Sequence, residues 1–334
     1  MTQEIHTRGS VRVYACGGCG SNIGSLLESY RSNNSSAIAS MDIAYIDTSR
    51  SNLKHLNVDE ERTFLFQGRD GSGGIRRENA NEISAKVAPI LEKFPPADLS
   101  IVIHSMSGGT GSVVGPSIAS ALLEAKKAVI MLVVGDASTR LDASNTMNTL
   151  KTYDSISQLR NLPVVLSFQL NSRENKREDV DRNIVGTAVS IAILWSGNNR
   201  ELDSKDLYNF LNFHIPTTFE PQVAHLSLVQ SGEEVVDKNG GQVISVATLA
   251  APGQDTTLDP APEVQYRGYL ADDAPASLQE KLPTHFFVTD GMFEEVNELL
   301  KATLKQHEVL ARSREKKEGF LTDADKPTPS GLVL

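Results

Sequence analysis

Short apolar runs separated by polar, glycine-bearing loops set the rhythm of the first half of the chain. Residues 11–15, 38–46, 63–66, 99–103, 128–134 and 164–170 are of strand length and rich in apolar and β-branched side chains. Strands of that kind are covered on both faces, which is the habit of parallel sheets. Between them, helical spacing recurs at 23–31, 76–94, 113–125 and 146–159. Strands and helices in alternation predict a doubly wound α/β unit. Pro95-Pro96 ends the second of these helices, and Pro116 is placed near the first turn of the third, where a missing N–H costs little.

Past residue 173 the rhythm changes. A charged stretch, 173–181, opens a helix whose later part, 184–195, is apolar nearly all round. Such a helix is buried on most faces and suits a position between two packed units. Residues 204–213 read as a helix, and 223–229, 243–249, 264–270 and 285–289 as strands, joined by Gly240-Gly241 and by proline-rich loops between Pro252 and Pro262. This predicts a smaller α+β second domain. Residues 292–317 read as one helix, roughly 40 Å long at 1.5 Å per residue. Its basic end, with Arg312, Arg314, Lys316 and Lys317, complements the helix dipole. Residues 321–334, with Asp323, Asp325, Pro327, Pro329 and Gly331, cannot fold alone and form a tail ending in an apolar hook, Leu332 to Leu334.

Composition narrows the function classes. At 334 residues the chain exceeds what one core usually holds, roughly 250 to 300 residues. A formal charge of −10 argues against a nucleic-acid surface over the whole molecule, since such surfaces draw affinity from Lys and Arg. No apolar run approaches the roughly 18 residues that span a bilayer, and the opening residues carry no apolar export segment, so a cytoplasmic protein without membrane contact is expected. The two cysteines, Cys16 and Cys19, form a C-x-x-C pair with no further Cys, and the seven histidines are scattered. Zinc binding needs four ligands, so no metal site is expected in the protein and the cysteines read as small apolar fillers.

The candidate chemistry lies in the loops. The stretch from His104 to Ser112 holds three glycines and four hydroxyl side chains between a strand and a helix. A loop of this kind aims several backbone N–H groups and the positive end of a helix dipole at one point, forming an anion cradle. A second glycine loop, Cys16 to Gly24, and a third, Gly68 to Gly74, follow other strands of the same sheet. Three loops converging on one edge suit a mononucleotide triphosphate, whereas a dinucleotide normally needs one. Gly18-x-Gly20-x-x-x-Gly24 with Asp47 also approaches a dinucleotide fingerprint, off by one in its spacing.

Ser107-Gly108-Gly109-Thr110-Gly111-Ser112 resembles the signature loop G-G-G-T-G-[ST]-G of the tubulin and FtsZ superfamily, with Ser107 at the first glycine and Val113 at the last. Glu201-Leu202-Asp203-Ser204-Lys205-Asp206 resembles that superfamily's N-L-D-x-x-D loop, with Glu201 in place of Asn. The order of loops, the buried helix and the second domain agree, so the resemblance covers nearly the whole chain. Within the superfamily it looks most similar to bacteriophage and plasmid tubulin-like proteins. It implies a GTPase that binds GTP or GDP with Mg2+ and polymerises with copies of itself. Residue by residue it implies a first nucleotide loop of Gly17, Gly18, Cys19, Gly20, Ser21 and Asn22, and a second at Asp47 and Thr48. Gly71, Ser72 and Gly73 would sense the γ-phosphate. Ser107, Gly108, Gly109, Thr110, Gly111 and Ser112 would cradle phosphate, with Asp136 by the sugar. Asn171, with either Asp181 or Asn183, would contact guanine.

Asp203 and Asp206, three apart at a helix start, have a plain reading as caps. The resemblance gives them and Glu201 a catalytic place in the next subunit's site. It implies a GTP-binding domain over residues 1–175, a central helix at 176–199 and an activation domain at 200–290. A C-terminal helix at 291–318 and a tail at 319–334, contacting the neighbouring subunit, complete the chain. The filaments would carry phage DNA or capsids in a bacterial cytoplasm. Two alternatives stay open. One is a nicotinamide-dependent oxidoreductase, for which His104 is the only candidate catalytic histidine; the other is a nucleotide-binding regulator that does not polymerise.

Overall fold

The computed structural model describes residues 8–33, 38–67, 70–172, 175–230, 241–271 and 282–312. Its first half is the expected doubly wound unit. Strands β1 (Ser10–Cys16), β2 (Ser40–Asp47), β3 (Thr63–Leu65), β4 (Leu99–Ser105), β5 (Val129–Asp136) and β6 (Val164–Asn171) are parallel, in the order β3-β2-β1-β4-β5-β6. Side chains alternate across this sheet. Val11, Val13 and Ala15 of β1, and Ile130, Leu132 and Val134 of β5, enter one core cluster. Tyr14, Cys16, Met131 and Val133 enter the other. That two-sided burial is why these strands read as continuous apolar runs.

Helices α1 (Gly17–Asn33) and α7 (Arg177–Leu194) pack against each other on one face. On the other lie α3 (Arg76–Ser84), α4 (Val87–Lys93), α5 (Gly111–Glu124) and α6 (Arg140–Arg160). Short α2 (Arg50–His55) follows β2. Three helix boundaries differ from expectation. Helix α1 starts at Gly17, so the second glycine loop is its own first turn. The single helix at 76–94 is two: Pro89 lacks an N–H and its ring would clash with the Ala85 carbonyl, so the break at Ala85-Lys86 leaves Pro89 in the first turn of α4. Helix α5 starts at Gly111, which makes Pro116 its sixth residue rather than a first-turn residue. The Ser112 carbonyl, which thereby loses its helical donor, accepts from Arg76 Nη2 at 3.1 Å.

The second half adds β7 (Asn199–Arg200), α8 (Ser204–Leu211), β8 (Val223–Gln230), β9 (Val243–Ala250), β10 (Val264–Leu270), β11 (Thr284–Thr289) and α9 (Met292–Arg312). Its strands continue the first sheet rather than building a separate one. Strand β8 pairs in parallel with β6 through Val164↔Val223 to Leu166↔His225, and the order runs on as β8-β11-β9-β10-β7. Antiparallel pairs, β8–β11, β9–β11 and β7–β10, appear only in this half. Helix α9 packs on α6. Arg314, Lys316, Lys317 and the tail at 319–334 lie outside the described residues, as do Gly68 and Arg69 of the third loop and Gly240.

Helix α7 links the two ends of the sheet. Its first residue, Arg177, stands at the carboxyl edge of the sheet. At its far end, Ser196 O accepts from Gly9 N, just before β1 begins, and Ala192 O accepts from Ala39 N before β2.

Candidate functional site

The strand order reverses direction between β1 and β4, and in open α/β sheets a crevice forms at the carboxyl ends on either side of that reversal. Here it is a cleft of about 780 Å³. The loops after β1 and β4 meet at its floor. Gly17 has φ +72°, and a Cβ there would stand 2.9 Å from the Gly111 amide nitrogen, so the starts of α1 and α5 come together only because both are glycine. Two helix N-termini therefore share one focus. Thr110, the N-cap of α5, makes no side-chain cap bond, unlike Ser49 before α2 or Thr139 before α6. The orphan N–H groups of the first turn remain available to an anion.

Thr110 is 6% exposed, and its hydroxyl shares a 2.6 Å hydrogen bond with Thr48. This ties the end of β2 to the start of α5. Asp47 caps its own loop: Oδ1 accepts from Thr48 N at 2.7 Å and Ser49 N at 3.1 Å, and Oδ2 from Asn52 Nδ2 at 3.0 Å. Burial lifts its carboxyl above the ordinary range, opposed by those bonds.

The third loop presses on the signature loop. A Cβ on Gly109 would lie 2.4 Å from Ser72 Oγ and 2.9 Å from the Gly74 carbonyl carbon. Asn145 of α6 joins the two loops, its Nδ2 donating to Gly74 O at 2.9 Å and Ser107 O at 2.8 Å. At the other end of the cleft, Asp136 Oδ1 accepts from Ser138 N at 2.7 Å. Asn171 Oδ1 is buried there without a hydrogen-bond partner.

Of the residues expected at the site, Gly17, Gly18, Cys19, Asn22, Asp47, Gly71, Ser72, Ser107, Gly108, Gly109, Thr110, Gly111, Asp136 and Asn171 line the cleft. Gly20, Ser21, Thr48 and Ser112 are not in its wall. Ser21 and Ser112 are fully buried, each with an unpartnered hydroxyl, and Gly20 packs against Ile103 O. Gly73 has φ +58° with open space around it and stands off the wall. Asn183 is exposed on α7 and outside the lining, whereas Asp181 is buried, with Arg177 Nε 3.8 Å away. Burial raises the Asp181 carboxyl, opposed by Arg177.

Sequence reasoning left Asn52, Ser172 and Arg177 off the site, whereas Ser105, within the His104 to Ser112 loop, does line it. Asn52 gives no signal in a polar helical turn, and Arg177 is one of several charges in the stretch 173–181 that follows β6. Among the described residues lining the cleft, Arg177 is the only Lys or Arg. Phosphate charge would therefore be met chiefly by backbone N–H groups and helix dipoles. No group of three or more His, Cys, Asp or Glu among the described residues could hold a metal. Mg2+, where an anionic ligand carries it, would rely on that ligand's oxygens and on water.

His104 is fully buried and faces the α5–α6 side. Its Nδ1–H donates to Ser105 O at 3.0 Å, and Nε2 accepts from Tyr153 OH at 2.5 Å. Burial drives its pKa down to about 4. It does not line the cleft, which removes the histidine an oxidoreductase would use. Cys16 and Cys19 are free thiols. Burial pushes Cys19 up to about 12 and Cys16 higher, so both are inert packing groups.

Asp203 and Asp206 are far from this cleft. They sit at the start of α8, beyond the end of α7 that meets the beginning of β1. Asp203 is the N-cap and Asp206 the third helical residue of a complete capping box. Glu201 is exposed, with φ +75°.

Comparison with known proteins finds several that are similar to this chain. Residues 10–169 match the Tubulin/FtsZ family, GTPase domain. The chain is 27% identical over 350 aligned positions to the phage tubulin-like protein of Pseudomonas phage phiKZ, covering 100% of both. It is 28% identical over 326 positions to that of Pseudomonas phage PhiPA3, covering 97% of this chain and 98% of the relative. The solved protofilament of TubZ from bacteriophage PhiKZ matches with a TM-score of 0.82 and 26% identity, over 97% of this chain and 99% of that one.

Proposed function

We propose that this chain is a tubulin/FtsZ-family protein that hydrolyses GTP to GDP and phosphate and assembles head to tail into filaments, a reading supported by its match to that family's GTPase domain and to phage tubulin-like proteins. In this reading each hydrolytic site is completed by Asp203 and Asp206 of the next subunit. The observation that carries it is a separation. The phosphate cradle is at the carboxyl end of β1, the acidic pair beyond its amino end, and α7, 18 residues or about 27 Å, runs between them. One molecule cannot join the two halves; copies stacked end to end can.

The chemistry follows from the parts. Backbone N–H groups at Gly17 and Gly109 to Gly111 hold the phosphates, and Thr110 keeps the cradle in register with Thr48. Asn171 Oδ1, an orphan acceptor, suits the N–H groups on the guanine edge. Mg2+ bound with the nucleotide would supply neutralisation of phosphate charge. A carboxylate from the neighbour orients the attacking water and takes its proton, while the bond to the β–γ bridging oxygen breaks and that oxygen leaves with GDP. Positioning of this kind accounts for most of phosphoryl-transfer catalysis.

In this reading the filaments place phage DNA or particles in a host cytoplasm and the tail at 319–334 contacts the neighbouring subunit; that the similar proteins are phage tubulin-like proteins fits a phage role. The capping box favours one competing reading, a regulator in which the two aspartates only cap α8. Turnover per molecule measured against protein concentration, alongside light scattering, separates them. Turnover should rise steeply where scattering begins with GTP and not with GDP. Equal turnover in dilute, non-scattering protein rules out completion in trans.

A further inference from the structure

Arg177 is the first residue of α7 and the only Lys or Arg in the cleft wall among the described residues. The position is a poor one for the helix. A cation there opposes the dipole, whereas Glu178 and Asp179 in the same turn have the favourable sign. Asp181 offsets this. It lies one turn on, is 8% exposed, and places Oδ2 3.8 Å from Arg177 Nε. The carboxylate thus draws the Nε side of the guanidinium toward α7. Nη1 and Nη2 form the edge that Asp181 does not take, a planar fork of donors on a side chain 60% exposed.

The fork stands away from the phosphate cradle. That cradle lies where α1 and α5 begin, after β1 and β4, while Arg177 follows β6, two strands past β4 and so about 10 Å along the sheet. Its neighbours in the wall are Asn171 and Ser172, and Asn171 Oδ1 is the buried acceptor with no partner. An unpaired acceptor beside a two-pronged cation complements a ring with donors on one edge and two adjacent acceptors on the next. Guanine is such a ring. Its N1–H and 2-amino group suit Asn171, and its O6 and N7 are the pair that a guanidinium grips bidentately. Adenine turns an amino group toward the fork instead. Asp181 is not in the wall, so whatever it does for the base it does through Arg177. We propose that Arg177 is a specificity residue that reads O6 and N7 of the nucleotide base, and that Asp181 is its positioning residue. This assignment rests on the nucleotide reading given above.

Competition binding to the full chain with GTP, ITP and 7-deaza-GTP tests it. 7-Deaza-GTP has C–H in place of N7 and is otherwise GTP; ITP lacks only the 2-amino group. The parent should prefer GTP to 7-deaza-GTP by about fivefold or more. Arg177→Met should weaken GTP and ITP alike, by about tenfold or more, and bring 7-deaza-GTP level with GTP. Arg177→Lys keeps the charge beside Asp181 without the fork and should lose the same discrimination. Asp181→Asn should reduce it, with an unfolding midpoint in urea that shows the chain folded. Parent chain that binds GTP and 7-deaza-GTP equally overturns the assignment and leaves the nucleotide reading standing. So does an Arg177→Met that weakens both by one factor, since the side chain then serves phosphate, sugar or the ring face. Discrimination unmoved in Asp181→Asn removes the positioning role. Failure of the parent to bind any of the three defeats the nucleotide reading and this assignment with it.

Discussion

Asp203 and Asp206 hold each other in place. Asp203 Oδ1 accepts from the Asp206 amide at 2.9 Å and from Lys205 N at 2.8 Å, and the Asp203 amide donates to Asp206 Oδ2 at 3.3 Å. The pair is preorganised by its own helix start, with one oxygen of each carboxylate outside the cap. Structural and chemical roles can be divided by substitution, because Gln at the third helical position keeps a capping box and removes the charge. Asp206→Gln should therefore lower GTP turnover by about 10²–10⁴, the usual worth of a positioned base. Its unfolding midpoint in urea should stay close to the parent, whereas Asp206→Ala should lose both turnover and up to about 1 kcal/mol of stability. Parent-like turnover in Asp206→Gln would reduce the pair to a cap.

Asn171 presents a buried acceptor with nothing to accept from. If guanine supplies the donor, removing the acceptor costs GTP about 1–3 kcal/mol and ATP little. Competition binding with GTP and ATP should show a fall in the GTP preference of about tenfold in Asn171→Ala. An unchanged preference would move base recognition elsewhere along the cleft.

Glu201 occupies left-handed backbone, φ +75°, at the position where the resembling motif has Asn. Asn tolerates this region and Glu does not, because a short polar side chain bonds locally while Cβ crowding is left uncompensated in Glu. Glu201→Asn should raise stability by about 0.5–1 kcal/mol, read from chemical unfolding, with turnover retained. A loss of turnover would instead give the Glu201 carboxylate a part in the chemistry.

His104 makes stability depend on pH. Burial lowers its folded pKa to about 4, so the unfolded chain, with an ordinary histidine near 6.5, takes up a proton first as pH falls. Its stabilising contribution is present above about pH 6.5 and is lost as pH falls toward 4, about 2 kcal/mol of it between pH 7.5 and 5. His225, partly exposed but lowered to about 4 by desolvation of its ring, adds to the same trend. Urea unfolding at the two pH values should show a smaller difference in His104→Gln than in the parent. An equal difference would leave His225 and the carboxylates to account for the whole effect.

The strands of the first half and the glycine loops that end them were legible because each is a local pattern: an apolar run, a glycine cluster, a helical period. The break between α3 and α4 was less so, since Pro89 only ends a helix when its place within the turn is known. Arg76 and Asn145 carried no signal at all. One is a helix-start arginine and the other a mid-helix amide, and what they bond lies 36 to 76 residues away.

By itself, then, the sequence determined the alternation of elements, the three glycine loops and the acidic pair at a helix start, because backbone freedom and burial periodicity act over a few residues. Only the tertiary structure decided that Gly17 and Gly111 touch, that β8 extends the same sheet, and that His104 faces away from the cleft. It alone put Asp203 and Asp206 a helix length from the phosphate cradle. Those relations depend on strand order and on which face each side chain takes, and both are set by packing between segments far apart in the chain.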